Sequence, residues 1–457
     1  MTRPILLINP GKDKPWASTH PPMNLGYIAA NLEKNGFETY IIDELAGQNV
    51  EKAIQKYRPE IVGITATTPM APDAYRLCKI AHRYKCKVVM GGKHAMIMPY
   101  EALKYADMVV IGEGEQAMVE IVSGKHKEKI VRASYVLDLD DLPSPAWHLM
   151  DMDFYLTARD RILRTHLNFL PPHTKVGSLI TTRGCPYRCI FCYNSWRDIP
   201  VRFHSAERVV DDIEYLVKKY NMQALFFMDD DLFVFKKRLV KICELLKQRK
   251  IKIIWGCQST ADHLDEKVLR LAKSAGCKQV GFGFESGSPR ILKLLKKGRQ
   301  SVEGNAKAVK ICRKVKVSSW ATFMIGNPTE TLDDVQKTFE FIKNNRPDGV
   351  GIHVTTPFPG TELWDWCRRH NLIPQKIDWS IFNTGQVSIP ANDTISPYKI
   401  QELRDQIQYY FNPLSIREII SLLPTRPDLL LKPFRNPASI LRALKDSFLG
   451  SQPFFGK

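Results

Sequence analysis

Three cysteines in one short segment carry the strongest chemical signal in this sequence. Thr182-Arg183-Gly184-Cys185-Pro186-Tyr187-Arg188-Cys189-Ile190-Phe191-Cys192 spaces them as Cys-x3-Cys-x2-Cys. Thiolates hold iron–sulfur clusters, and four normally saturate a four-iron cluster. Three leave one iron open, and an open coordination position is where a small molecule binds and reacts. A structural zinc site requires a fourth ligand. No fourth cysteine is close and the next histidine is His204, so the segment reads as an iron–sulfur ligand set. Cys78, Cys86, Cys243, Cys257, Cys277, Cys312 and Cys367 stand in apolar or helical surroundings and read as small buried hydrophobes.

Such a loop needs a scaffold, and the flanking sequence supplies one. A strand pattern at 178–182 runs straight into the cysteines. Further strand patterns follow at 224–228, 252–258, 279–285, 318–325 and 349–356. Helical periodicity intervenes at 206–220, 237–248, 266–275, 302–314 and 331–344. These units predict a partial (β/α)6 barrel over 176–395, with its chemistry at the C-terminal strand ends. Asp229-Asp230-Asp231, Gln258 and Glu285-Ser286 fall at such ends. Each has a plainer reading as well. A triple Asp also suits a solvated loop or a helix N-terminus, and a Gly-Phe-Gly strand also suits close packing.

Residues 1–124 alternate in the same manner. Apolar β-branched runs at 5–8, 39–42, 61–65, 87–90 and 108–111 enclose helical stretches such as 25–35 and 71–83. This is an α/β pattern for a flavodoxin-like doubly wound sheet, whose ligands bind beyond the carboxyl ends of the strands. Those ends hold Thr65 and Thr67, then Gly91-Gly92-Lys93-His94, then Gly112-Glu113. Glycine lets backbone approach a ligand closely, though ordinary βα turns use it too. Residues 125–175 include a turn-rich Asp-Leu-Pro-Ser-Pro stretch and read as a linker.

The chain has 457 residues, enough for two or three cores, and a formal charge of +18 that favours anionic partners. No RNA-binding signature or zinc-finger spacing is present, so nucleic acid is not the expected partner. No apolar run reaches the roughly 18 residues of a membrane span, and the N-terminus lacks a signal-peptide cleavage site. The expectation is a cytoplasmic protein. Residues 396–457 mix Arg and Lys with Leu, Ile and Phe. They read either as a helical extension packed on the barrel or as an amphipathic segment making peripheral membrane contact.

The cysteine spacing resembles that of the radical S-adenosylmethionine (SAM) superfamily, and the similarity extends further. Phe227-Met228-Asp229-Asp230-Asp231 stands where that family carries polar residues. Gly281-Phe282-Gly283-Phe284-Glu285-Ser286-Gly287-Ser288 resembles its "GxESGS" segment. Gly326-Asn327-Pro328-Thr329-Glu330-Thr331 resembles "GxPGET", with Thr329 for the usual glycine. Thr355-Thr356-Pro357-Phe358-Pro359-Gly360-Thr361 resembles "TPxPGT". Thr260 stands where relatives often place an arginine before the aspartate. With the N-terminal series included, residues 1 to about 400 resemble the radical SAM family that contains a cobalamin-binding domain. That family includes the class B methyltransferases and the anaerobic magnesium-protoporphyrin ester cyclase group.

The resemblance implies a [4Fe-4S] cluster on Cys185, Cys189 and Cys192. It implies SAM at the open iron, with Phe191, Asp230, Gln258, Glu285 and Ser286 as contacts. It implies cobalamin beside Thr65, Thr67, Gly92, His94, Gly112 and Glu113. The Asp-x-His-x-x-Gly motif of a lower histidine ligand is absent, since Asn9-Pro10-Gly11-Lys12-Asp13 follows the first strand. The implied chemistry is reductive cleavage of SAM to a 5′-deoxyadenosyl radical, with an electron from a donor such as ferredoxin or flavodoxin. Methyl transfer to an unactivated carbon of a lipid-like, tetrapyrrole or secondary-metabolite substrate would follow. Oxidative cyclisation, hydroxylation or carbon–carbon coupling is the alternative reaction class. Tyr187, Tyr193 and Cys312 are candidates for a final proton donor.

Overall fold

Short β-branched runs, apolar along their whole length, suit strands buried on both faces, and the N-terminal runs form such a sheet. In the computed structural model, which describes residues 3–12, 20–157, 167, 169–171, 173–194 and 199–412, they are β1 (Ile5–Asn9), β2 (Thr39–Asp43), β3 (Ile61–Thr65), β4 (Lys87–Gly91) and β5 (Met108–Ile111), joined by β6 (Ile130–Arg132). All pairings are parallel, in the order β2-β1-β3-β4-β5-β6. Side chains alternate between two helical layers. Ile5 and Leu7 of β1 share a core with the helices Met23–Lys34 and Gly114–Val122. Leu6 and Ile8 pack with Val50–Tyr57 and Ala71–Arg83.

The expected linker is only partly one. β6 lies inside it, and three residues are too few to show a period. Leu142, Ala146, Trp147, Met150, Met152 and Leu156 are buried in the first of those two cores, which continues without a break into the second domain.

The second domain contains β7 (Val176–Leu179), the short strands β8 (Thr182–Arg183) and β9 (Arg202–Phe203), then β10 (Ala224–Phe227), β11 (Ile254–Ser259), β12 (Cys277–Glu285), β13 (Ser318–Ile325) and β14 (Gly349–Val354). Strands β7 and β10 to β14 pair in parallel in chain order, and β7 does not meet β14. This is the open (β/α)6 barrel that the sequence predicts. Phe282 and Phe284 of β12, Ala321 and Phe323 of β13, and Val350 and Ile352 of β14 point outward into the helical layer. On the inner face, Leu167 and Leu170 meet Ala224 and Phe226 and fill the bottom of the lumen.

The helix Pro397–Phe411 covers the free edge of β14. Arg404 Nε donates to the Ile352 carbonyl at 3.0 Å, and the Ile352 N–H donates to Gln408 Oε1 at 2.7 Å. Side chains thus satisfy an edge that would otherwise recruit another strand. The first part of the basic C-terminal stretch is therefore a packed helix. Residues 413–457, on which the membrane expectation also rests, lie outside the described residues. No helix among the described residues is long and apolar enough to cross a membrane.

Two buried histidines sit where the domains meet. His204 Nε2 pairs with the Tyr27 hydroxyl and its Nδ1 with Asp140, both at 3.1 Å. His94 Nε2 pairs with the Tyr75 hydroxyl at 2.9 Å, and its ring packs edge-on against Trp379. Burial pushes both imidazoles down to about 4 from an ordinary 6.5. Each therefore takes up its proton mainly in the unfolded chain. The stability it contributes is complete above pH 6.5 and drains away as pH falls toward 4. The expected loss is about 2 kcal/mol per histidine at pH 5. Denaturant unfolding at pH 7.5 and pH 5 should show a loss smaller by that amount in His94→Gln than in the parent. Equal losses in the two proteins would refute the assignment.

Candidate active site

The cysteine segment is a loop whose two ends are tied together. β8 and β9 pair antiparallel, Thr182 opposite Phe203 and Arg183 opposite Arg202. Buried Asp229, at the end of β10, accepts hydrogen bonds from the N–H and hydroxyl of both Thr181 and Thr182, at 2.6–2.9 Å. Arg238 donates to the Thr181 carbonyl and hydroxyl from the other side. Within the loop, the Ile190 N–H donates to the Leu295 carbonyl at 3.1 Å. The Leu363 N–H donates to the Ile190 carbonyl at 2.9 Å, and Asn194 Nδ2 donates to the Cys185 carbonyl at 2.8 Å. The helices Pro289–Lys296 and Glu362–Arg369 therefore hold the loop in register.

Cys185 and Cys189 are half-buried, and Cys192 keeps part of its surface accessible although the protein packs around its thiol. Burial pushes the Cys185 thiol up to about 12 and the Cys192 thiol up to about 11, with Asp230 adding to both. Lys93 and Lys296 pull the Cys192 thiol the other way. The three thiols lie near enough to perturb one another. Among the described residues, no three metal-ligating side chains converge on a single-ion site. A four-iron cluster takes its ligands at separate corners and does not require such convergence. Three cysteines in one short loop, none of them fully buried, fit a cluster with one free corner.

The three adjacent aspartates do different work. Asp229 holds the loop stem. Asp231, also buried, accepts from the Ser259 hydroxyl at 3.1 Å, from the Thr260 N–H and hydroxyl at 3.2 and 2.8 Å, and pairs with His263 Nδ1 at 2.7 Å. His263 Nε2 in turn meets the Tyr187 hydroxyl at 3.2 Å. Thr260 is thus spent on Asp231, and Tyr187 is tied to the same network. Asp230 alone is open to a ligand. Burial raises its carboxyl and Lys93 opposes that rise.

Glu285 ends β12 at a register shift with φ +62°, a left-handed conformation that is uncommon for a non-glycine residue. Its carboxylate pairs with Lys296 at 2.9 Å, and the Lys296 ammonium lies 5.3 Å from the Phe191 ring centroid. Burial alone would lower the lysine's pKa, but Glu285 and Cys189 hold it above its usual value. Gln258 is half-buried on the inner face of β11, over Gly281. Thr329 takes φ +58° where the family pattern has glycine, and Arg290 bonds its hydroxyl and carbonyl at 3.0 and 2.9 Å.

The structure corrects several expectations. Ser286 is 1% exposed, and its hydroxyl is used by Thr338 at 3.2 Å and by the Ser288 N–H at 3.1 Å. It shapes the turn and does not face SAM. Cys312 is fully buried in the helix Val302–Val315 and is no donor. Tyr193 packs on Gly360. In the N-terminal domain, His94 is fully buried beneath the sheet edge and is not a ligand contact. Both Glu113 oxygens are held by Arg202, at 2.8 and 2.9 Å, with Arg183 at 3.0 Å and the Val136 N–H at 2.7 Å. Glu113 therefore binds the neighbouring domain.

Gly92 and Gly112 are needed by the backbone itself. Their φ values are +86° and +113°, and a Cβ would stand 2.7 Å from backbone atoms of Ala66 and Ala133 respectively. Thr65 accepts from Asn24 Nδ2 at 2.8 Å and is half-buried, and Thr67 is exposed. What remains at this edge is Thr67, Lys93, the Thr65 and Gly112 positions and Gly91, whose Cβ direction is open space. An open polar edge with its histidine withdrawn fits a cobalamin held without a lower histidine ligand. The edge also faces the barrel mouth. Ile97, in the helix after β4, and Tyr193, next to Cys192, both pack on Gly360. Sequence reasoning missed Arg183, Arg202, Glu115, Lys93 and Lys296. Only Lys93 carried a signal, beside the Gly-Gly at the end of β4.

A family model described as the radical SAM superfamily matches residues 179–342, and one described as the B12 binding domain matches residues 16–122. An uncharacterized methyltransferase of Pyrococcus horikoshii is 33% identical over 403 residues, covering 80% of this chain and 82% of the relative. The anaerobic magnesium-protoporphyrin IX monomethyl ester cyclase of Rubrivivax gelatinosus is 27% identical over 383 residues, 76% of this chain and 66% of that protein. The structure of the radical SAM methyltransferase TsrM from Kitasatospora setae, with cobalamin and a [4Fe-4S] cluster bound, shares the fold. Its TM-score is 0.65 at 18% identity, over 82% of this chain and 76% of that one.

Proposed function

Because the chain belongs to the radical SAM superfamily, in the branch that also carries a B12-binding domain, we propose that it transfers a methyl group to an unactivated carbon of a lipid-like, tetrapyrrole or secondary-metabolite substrate. The family sets the coarser function: a cobalamin-dependent radical SAM enzyme that generates a 5′-deoxyadenosyl radical. When bound, the cluster supplies an electron to the sulfonium of SAM and cobalamin carries the methyl group.

The chain's own residues do the rest. Cys185, Cys189 and Cys192 hold the cluster. Asp230 and Phe191 contact SAM, Glu285 acts through Lys296 beside Phe191, and Gln258 lines the wall below. The observation that carries the proposal is the facing of two edges. Ile97, in the helix after β4, and Tyr193, next to Cys192, both pack on Gly360, and exposed Lys93 and Asp230 stand on the two edges. The P. horikoshii relative named as a methyltransferase favours methyl transfer. The R. gelatinosus relative named as a cyclase supports the second reading, an oxidative cyclisation by the same apparatus. An electron donor of the ferredoxin or flavodoxin kind completes either scheme.

The test uses anaerobically reconstituted protein with hydroxocobalamin, SAM and a strong reductant. Methyl transfer consumes one SAM as 5′-deoxyadenosine and methionine and a second as S-adenosylhomocysteine. Mass spectrometry should find both products, the second only when cobalamin is added. Deoxyadenosine alone selects the cyclase reading. A reaction that forms neither product overturns the assignment altogether.

A further inference from the structure

Four nearly buried charges join the two domains at the base of the cysteine loop. Arg183 and Arg202 face each other across the β8–β9 pair that closes the loop. Glu113 and Glu115 open the first turn after β5, at the ligand edge of the N-terminal sheet. Their exposures are 9, 6, 6 and 4%, in the order given. Arg183 reaches Glu113 at 3.0 Å and Glu115 at 2.6 Å, and Arg202 grips both oxygens of Glu113. The rings of Tyr27 and Tyr135 lie over the two guanidinium groups at 5.2 and 5.7 Å. Asn31 Nδ2 anchors the Glu115 carbonyl at 3.0 Å.

Apolar side chains of similar volume would stabilise such a seam as well or better, because buried ions must be stripped of water. What a planar guanidinium adds is direction: its paired donors accept one carboxylate orientation, where apolar surfaces can slide. Both arginines belong to the stem of the cluster loop and both carboxylates to the rim of the opposite site. The four side chains thus tie one rim directly to the other. A substrate carbon shared by two reactive groups requires that spacing to hold, since a displacement of about 1 Å can cost on the order of a hundredfold in rate.

We infer that Glu113, Glu115, Arg183 and Arg202 are positioning residues that couple occupancy of the N-terminal ligand edge to the state of the cysteine loop. The inference rests on the reading above, in which that edge takes cobalamin. Coupling between two sites is reciprocal, so a cluster in the loop changes affinity at the edge. The test titrates hydroxocobalamin, followed by its absorbance, into full-length protein with its cluster and after removal of the cluster by a chelator. The expected result is a Kd that differs by about fivefold or more between the two forms. In Glu115→Gln, which keeps the side chain's shape, and in Arg202→Lys, that ratio should fall to within about twofold of unity. Iron content should stay at the parent level, which a collapsed fold would not allow. A parent ratio of one overturns the inference, as does an unchanged ratio in both variants or the absence of any cobalamin binding. S-adenosylhomocysteine formation reports separately on methyl transfer. A parent ratio of one with that product present removes the coupling alone, and a coupled protein without it removes the methyl-transfer reading alone.

Discussion

Cys192→Ala abolishes both the iron–sulfur absorbance and 5′-deoxyadenosine formation, down to the background of the assay. Cys192 is the most accessible of the three loop thiols and lies near both Lys93 and Lys296. With three protein ligands and one open corner there is no spare thiolate, so two ligands leave a second iron unprotected. Among the described residues, no other group of metal-ligating side chains stands ready to substitute. The remaining cysteines supply the control. Cys312 is fully buried in a helix on the outside of the barrel, and Cys312→Ala should keep the absorbance and the SAM cleavage. Iron analysis, the visible spectrum and deoxyadenosine measured on the same preparation decide the matter. SAM cleavage surviving in Cys192→Ala would sink the ligand assignment.

Asp229→Ala is expected to destabilise the protein by about 3–5 kcal/mol, because it leaves four buried donors of Thr181 and Thr182 without their acceptor. The neighbouring Asp230→Asn should stay within about 0.5 kcal/mol of the parent, since Asp230 makes no hydrogen bond among the described residues. Its effect should fall on SAM affinity instead, weakened by about tenfold or more for a lost charged contact. Denaturant unfolding and equilibrium dialysis of SAM on both variants separate the two roles. If Asp229→Ala unfolded like the parent, or if Asp230→Asn bound SAM equally well, the division of labour along this tripeptide would be wrong.

That division was invisible in the sequence, and the reason is geometric. Three consecutive residues at a strand end point in different directions, and residue type does not say which. The elements themselves were plain. β13 occupies 318–325 and the first barrel helix 206–220, as their patterns predict, because a strand buried on both faces is apolar throughout and a surface helix shows its period over several turns. β8 and β9, at two residues each, were too short to show any period. Cys185, Cys189 and Cys192 stand out in the sequence by their spacing, and the structure places all three in one loop tied at its base by β8 and β9. Ser286 was misread because Glu285 enters a left-handed conformation and turns the next side chain into the helix Leu332–Asn345. Glu113 was misread because its partner Arg202 lies 89 residues away, at a distance no local pattern spans.

The core that runs from Met23 and Leu25 through Ala146 and Trp147 to Ala206 and Val209 has a consequence for anyone rebuilding this protein. Two family models match the chain, yet its halves are not cassettes. A barrel expressed from residue 176 onward would leave its share of that core facing water, and an N-terminal half borrowed from a relative would have to bring its own version of residues 139–156. Chimeras cut at the boundary between the two family matches should aggregate, whereas those cut within a surface turn and carrying the whole seam from one parent should fold.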